Sequence, residues 1–350
     1  RDRAVPRRSA DRGKAPSCLR TAGRIAAYLT CFVVGLWSGA APALAAELRV
    51  ALWHVPLTRD APGLLLRDVL ERESSVVRVA NAIAEAEADI VVLTRFDFDA
   101  SGITLRAFAE LVGQGFEHGL QLRSNAGVPT GLDLDADGRL AEPEDAQAYG
   151  RFPGQEALAL LSRFPILSDE AHGYNAELWR DMPDTLMMPT DPGWDIQRLS
   201  SGGHWTVPIH VPDGETTRTV TILVGHAGPP VFDGPEDRNG RRNRDELRLW
   251  TRILAVTDPP FVFMANTNLD PDRGEGYRDA MAQFLSEQDI VDPLAGQVTA
   301  HWDSPGPMRV SYILPSSDFS VGAAKVWPVL EGQQHSLITV DLTLPDAALP

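Results

Sequence analysis

The chain has 350 residues, 43% of them hydrophobic, with 32 Lys and Arg against 48 Asp and Glu, a net charge of −16. That is enough apolar material for one large domain or two small ones. A negative field of this size opposes nucleic-acid binding, which depends largely on neutralising phosphates.

The first segment is the exception to this acidity. Residues 1–24 carry eight basic residues and only Asp2 and Asp11 as acids, and an apolar run follows from Ile25 to Ala46. The run closes on Ala43-Leu44-Ala45, and Gly35, Ser38, Gly39 and Pro42 dilute its second half. A basic region, an apolar region and a small-x-small ending predict a secretory signal over 1–46, cleaved near Ala45 or Ala46, rather than an anchor. The expected location is periplasmic or secreted, with no stable membrane span after cleavage. Without 1–46 the chain keeps 24 basic and 46 acidic residues, a net of −22. Both cysteines, Cys18 and Cys31, lie in the signal. An apolar core, not disulfides, must therefore hold the remainder together.

From Leu48 onward, apolar runs of strand length alternate with helical patterns. Leu48–Val55 reads as a strand, Val76–Ala88 as a helix, Asp89–Leu93 as a strand and Thr104–Val112 as a helix. Strands follow at Ala157–Leu161, Trp205–His210 and Val220–Gly225, then a helix over about 241–256 with Leu247, Trp250, Ile253 and Leu254 on one face. Phe261–Met264, Val310–Leu314 and Leu337–Leu342 complete the strands. The pattern predicts one α/β domain over 47–350 with a long insertion at about 120–205. Asp245 and Glu246 are read as helix-surface pairing residues.

The insertion holds a sharp local motif. Asp133, Asp135, Asp137, Gly138 and Glu144 match D-x-[DN]-x-[DN]-G-x5-E in full. That spacing suits a loop curling around one calcium ion, with carboxylates from the three Asp residues and Glu144, the carbonyl of Arg139, and a sharp turn at Gly138. Gly127, Pro129 and Gly131 stand before it, so a structural Ca²⁺ loop is expected rather than an opening sensor.

Several strand ends together resemble the endonuclease/exonuclease/phosphatase superfamily, the deoxyribonuclease and sphingomyelinase type of metal-dependent phosphoesterase. The matching stretches are Arg49–Val55, Asp89–Asp97, Gly154–Pro165, Val224–Pro229, Phe263–Pro271, Arg309–Pro315 and Gln334-His335-Ser336. A secreted bacterial branch carrying a calcium-type loop in the same insertion is most similar. The resemblance implies a four-layer sandwich of two mixed β-sheets flanked by helices, with the site at one end of the sandwich.

The same resemblance implies a set of active positions, and this sequence departs from it. The family's Asn on the first strand is His54, its Mg²⁺-ligating Glu is Arg95, and the Asp that aligns the attacking water is Asn266. Two further Asp positions are Ser311 and Gln334, and the Tyr expected after Gly154-Gln155 is Glu156. His226, Asn268 and His335 retain the family's residue types. Mg²⁺ normally keeps one or two carboxylate ligands, and phosphodiester attack needs a cation and an oriented nucleophile. With four carboxylates replaced, Mg²⁺ is not expected at the former active site, and the domain reads as a pseudoenzyme.

Two functional readings follow. In the first, Arg95, His54 and His226 bind a small anionic or phosphorylated ligand without hydrolysis. In the alternative, His54, His226 and His335 hold Zn²⁺ or Mn²⁺ and a rewired phosphoesterase survives. Single histidines at strand ends also serve as hydrogen-bonded structural groups, and Asp97 or Asp99 could recruit a metal from a shifted position. Oligomeric state is not encoded in any of these patterns.

Overall fold

The computed structural model describes residues 46–345; the predicted signal, except Ala46, lies outside the described residues. In chain order the main elements are β1 (Glu47–Leu57), α1 (Leu64–Leu70), α2 (Ser74–Ala86), β2 (Ile90–Phe96), α3 (Ile103–Val112), β3 (His118–Leu122), β4 (Leu158–Ser162), β5 (His172–Gly173), β6 (Gly203–Asp213) and β7 (Thr216–His226). They continue as α4 (Arg238–Leu254), β8 (Phe261–Asn266), α5 (Arg278–Glu287), β9 (Ala300–His301), β10 (Pro307–Met308), β11 (Ser311–Pro315), β12 (Ser320–Val326) and β13 (Ile338–Thr343).

Two mixed sheets result. One runs β12-β13-β1-β2-β4-β3, and the other β11-β8-β7-β6-β5. Each contains one parallel neighbour pair, β1 with β2 and β7 with β8, among antiparallel partners.

Alternation along the strands explains the layers. Val50 and Leu52 of β1, Val92 of β2, Ile222 and Val224 of β7 and Met264 of β8 share the core between the sheets. Ala51, Trp53, Val91 and Leu93 point the other way and pack against Val76, Val79, Ile83, Leu105 and Phe108 of the first helices. On the opposite side Leu223, Phe263 and Tyr312 meet Leu247, Trp250 and Ile253 of α4 and Met281 and Phe284 of α5. Strands covered on both faces must be apolar at nearly every position, as these sequences are. Each fully buried large side chain contributes roughly 1.5–3 kcal/mol. The architecture is the expected four-layer sandwich.

Within 120–205, β4 is a central member of the first sheet, paired to both β2 and β3, and β5 pairs with β6 at the edge of the second, so the material outside the sheets is 123–157, 163–171 and 174–202. Among the described residues no helix is long and apolar enough to cross a membrane.

The parallel pairs aim the C-terminal ends of β1, β2, β7 and β8 in a common sense within each sheet. β11 and β13 run antiparallel to them, so Ser311 at the start of β11 and His335 just before β13 come to the same end. Ligand sites of α/β sheets gather beyond such strand ends.

Candidate functional site

Three imidazoles meet at this end of the sandwich. His54 from β1 lies with its ring centre 4.2 Å from that of His335 and 4.9 Å from that of His226. All three are buried. His54 Nδ1 is 2.7 Å from Thr94 Oγ1 on the neighbouring strand, and Trp53 Nε1 donates to the His335 carbonyl at 3.0 Å. Trp302 stands edge-on to His335 at 5.2 Å and donates through Nε1 to Gln334 Oε1. Gln334 itself is exposed.

The amide and hydroxyl positions adjoin these rings through strand register. Asn266 pairs with His226 across the parallel ladder and with Ser311 across the antiparallel one. Asn266 Oδ1 accepts from the Asn268 backbone N–H at 2.9 Å, while Asn268 turns its own amide to the Ala227 carbonyl. Seven buried side-chain polar atoms among the described residues lack a hydrogen-bond partner, and four belong here: His226 Nδ1, Asn266 Nδ2, Ser311 Oγ and His335 Nδ1. Buried polar groups are ordinarily paired, so an accumulation at one place marks a site rather than a core.

Arg95 closes the cluster. Its Nε donates to Glu156 Oε1 at 3.0 Å and its Nη2 lies 2.9 Å from the same oxygen, with each side chain about a third exposed (36% and 32%). Arg95, Glu156 and Asn268 all have left-handed backbones, with φ of 65°, 50° and 52°. Non-glycine residues in this region cost of order 1–3 kcal/mol and are held there by their surroundings. For Glu156 the holding group is visible: its N–H donates to Asp97 Oδ1 at 3.1 Å.

Electrostatics keep the imidazoles neutral. Burial lowers His226 to about 3 and His335 to about 4, and in each the positive charge of Arg95 is the next contribution. Burial, then His335, His226 and Arg95, push His54 well below the ordinary histidine value. Desolvation disfavours the charged ring, and a nearby guanidinium disfavours it further.

These rings nevertheless do not form a ready metal centre. Among the described residues the only group of three acidic, His or Cys side chains with ligand atoms mutually within 4.8 Å is Asp133, Asp135 and Asp137. The His54, His226 and His335 rings are not such a group, and the positive charge of Arg95 acts on all three. Asp97 and Asp99 are also engaged elsewhere. Buried Asp97 accepts from Thr58 Oγ1, Arg59 N and Glu156 N, and Asp99 from Ser101 N and Thr104 N at the start of α3.

A second layer supports His226. Glu246 is fully buried in α4, accepting from Ser201 N at 2.5 Å and Gly228 N at 2.9 Å. One carboxylate thus fastens the two segments that bracket His226. Between them Gly202 donates to the His226 carbonyl, and a Cβ at 202 would lie 2.4 Å from His226 Nδ1. Burial raises Glu246 to about 7. His204 Nε2 faces the Glu246 backbone oxygen at 3.0 Å and must carry the proton there, since a carbonyl only accepts. The surface pairing expected of Asp245 and Glu246 is therefore incorrect. Asp245 too is buried, accepting from Trp179 Nε1 and Leu186 N at 2.7 Å each. Helical spacing carried the signal: Asn243, Glu246, Leu247, Trp250, Ile253 and Leu254 fall on one face, and all are buried.

The acidic loop curls as its spacing predicts. Asp133 accepts from Asp137 N and from Gly138 N at 2.9 Å, Asp137 accepts from Arg139 N, and Gly138 has φ of 88°. Desolvation and the neighbouring Asp137 and Asp133 raise the Asp135 pKa. Glu144 lies outside the trio, exposed in the short turn Pro143–Asp145. The residue that clasps the loop is buried Asp145, accepting from Leu134 N at 2.8 Å.

Comparison with known proteins agrees with this architecture. A family model described as "Endonuclease/Exonuclease/phosphatase family" matches residues 61–333. No curated protein matches. Among solved structures, the chain is similar to an endonuclease/exonuclease/phosphatase from Beutenbergia cavernae (TM-score 0.56, 18% identity, 85% of this chain and 72% of that one). It is also similar to family proteins from Bacteroides vulgatus (TM-score 0.52, 15% identity, 85% and 99%) and Bacteroides thetaiotaomicron (TM-score 0.51, 13% identity, 86% and 98%).

Proposed function

The chain belongs to the endonuclease/exonuclease/phosphatase family, and from that premise we propose an exported member that no longer hydrolyses phosphoesters and binds a phosphate-like anion in the former active site. The observation that carries this reading is Arg95. It stands where the resemblance expects a metal-ligating carboxylate, beside neutral imidazoles and the unpartnered Asn266 Nδ2 and Ser311 Oγ.

The residues present do not fit the family's Mg²⁺. The carboxylate that meets Arg95, Glu156, is already paired to it. A divalent ion about 4 Å from the guanidinium would be repelled by about 4 kcal/mol per unit charge pair at an effective dielectric near 20. Asn266 and Ser311 also cannot take up a proton as a carboxylate base would. They can donate, and an anion's oxygens accept. Guanidinium recognition of phosphate needs no metal.

Export rests on the N-terminal pattern. A structural Ca²⁺ in the Asp133–Asp137 loop is the second part of the proposal, supported by the motif and by the gathered carboxylates.

The anion reading is tested by titrating inorganic phosphate into the protein and following histidine ring resonances. Saturable shifts at His226 and His335 in the wild type, lost in Arg95→Ala, are expected. Shifts in the wild type no larger than in Arg95→Ala would overturn it.

A further inference from the structure

We propose that Glu156 is a built-in competitor for the anion site, so that a ligand oxyanion enters by displacing this carboxylate from Arg95. The proposal rests on the anion-binding reading above and specifies how that site selects its ligand.

The contact has the form of a ligand mimic. Both donors on one edge of the Arg95 guanidinium, Nε and Nη2, converge on the single oxygen Oε1 of Glu156. That edge is the fork which engages phosphate or carboxylate oxygens in anion sites. The carboxylate is held in place and is not a wandering surface acid. Its backbone has a φ of 50°, its N–H is fixed by buried Asp97, and the following Ala157 carbonyl accepts from Phe96 N in the adjoining strand. Asp97 is fixed in turn by Thr58 and Arg59.

The contact is also reversible. Both side chains remain about a third exposed, at 36% and 32%, and a pair with that access to water is weakly held. An incoming phosphate offers more than Glu156 does. It carries more negative charge, and its additional oxygens can accept from donors that Glu156 leaves unpartnered, for which Asn266 Nδ2 and Ser311 Oγ at the same strand ends are the candidates. Exchange therefore favours a dianion with several oxygens over a simple carboxylate, which would replace Glu156 with its own equivalent. The ligand class is a phosphate or phosphate monoester.

The experiment compares wild type, Glu156→Gln and Arg95→Ala in the same phosphate titration, with acetate as a second probe. Glutamine keeps the shape and removes the charge. Glu156→Gln is expected to bind phosphate about tenfold more tightly than wild type, to acquire measurable acetate binding, and to lose both when Arg95→Ala is added. Equal or weaker phosphate binding by Glu156→Gln, with the wild type still binding, overturns the competitor role and leaves the anion reading intact. No shift at His226 or His335 in either protein overturns both. A urea midpoint for Glu156→Gln close to that of wild type establishes that the comparison is between folded proteins.

Discussion

Acid should unfold this protein well before its carboxylates are exhausted. Four buried histidines are held neutral: His226 at about 3, His204 and His335 at about 4, and His54 well below the ordinary 6.5. Their folded values lie below the unfolded one, so the unfolded chain binds more protons. Stability is fully present above about pH 6.5 and is lost as pH falls. Between pH 7 and 5 each of His226, His204 and His335 costs about 2 kcal/mol, and His54 acts in the same direction. Glu246 works in the opposite sense. Burial lifts it from 4.5 to about 7, so the folded state gains a proton over this range and recovers about 2 kcal/mol. The net loss from the three histidines and Glu246 is about 4 kcal/mol, a large part of the whole stability of many domains. Urea unfolding followed by tryptophan fluorescence at pH 7 and pH 5 measures it directly. His226→Asn should reduce the pH-dependent loss by about 2 kcal/mol whatever it does to stability at pH 7. A midpoint that does not move between the two pH values, or an unchanged pH slope in His226→Asn, would refute the reasoning.

The support around His226 and the acidic loop give further expectations. Glu246→Gln presents an NH₂ to one of two backbone N–H donors, so unfolding should show a loss of about 1–3 kcal/mol at pH 7. It should also show a steeper acid loss, because the opposing proton uptake is gone. Gly202→Ala forces a Cβ toward His226 Nδ1 and should lower stability by about 1–3 kcal/mol while shifting the His226 resonance. An unshifted resonance would contradict the packing described. Ca²⁺ at a hundredfold excess over its Kd should stabilise the wild type by about 2–3 kcal/mol, and Asp133→Ala should abolish the effect. Thermal scans in which Ca²⁺ changes neither protein would remove calcium from the account.

Legibility in the sequence followed burial on both faces. β1, β2, β4, β8, β11, β13 and the second half of β7 are largely apolar runs, and each was readable as a strand. β12 was not: Ser320–Val326 is a half-exposed edge strand containing Gly322, with none of its residues fully buried. β3 is likewise an edge strand, interrupted by Gly119. At the site, the strand-end positions His54, Arg95, His226, Asn266, Ser311 and His335 were readable through the family resemblance. Their contacts were not. Arg95 and Glu156 are 61 positions apart, and nothing local to either residue announces that they pair. Glu246 was misjudged because charge was weighed above helical phase. Its neighbours at the same phase are Asn243, Trp250 and Ile253, and a carboxylate there is tolerated because two backbone N–H groups meet it.

Phosphodiester hydrolysis by the purified protein, assayed across Mg²⁺, Mn²⁺, Zn²⁺ and Ca²⁺, tests the central claim most directly. A variant combining His54→Asn, Arg95→Glu, Asn266→Asp, Ser311→Asp and Gln334→Asp serves as the comparison. The account predicts no metal-dependent turnover by the wild type and measurable turnover by the combined variant. Metal-dependent turnover by the wild type itself, abolished by His226→Asn or Arg95→Ala, would contradict it.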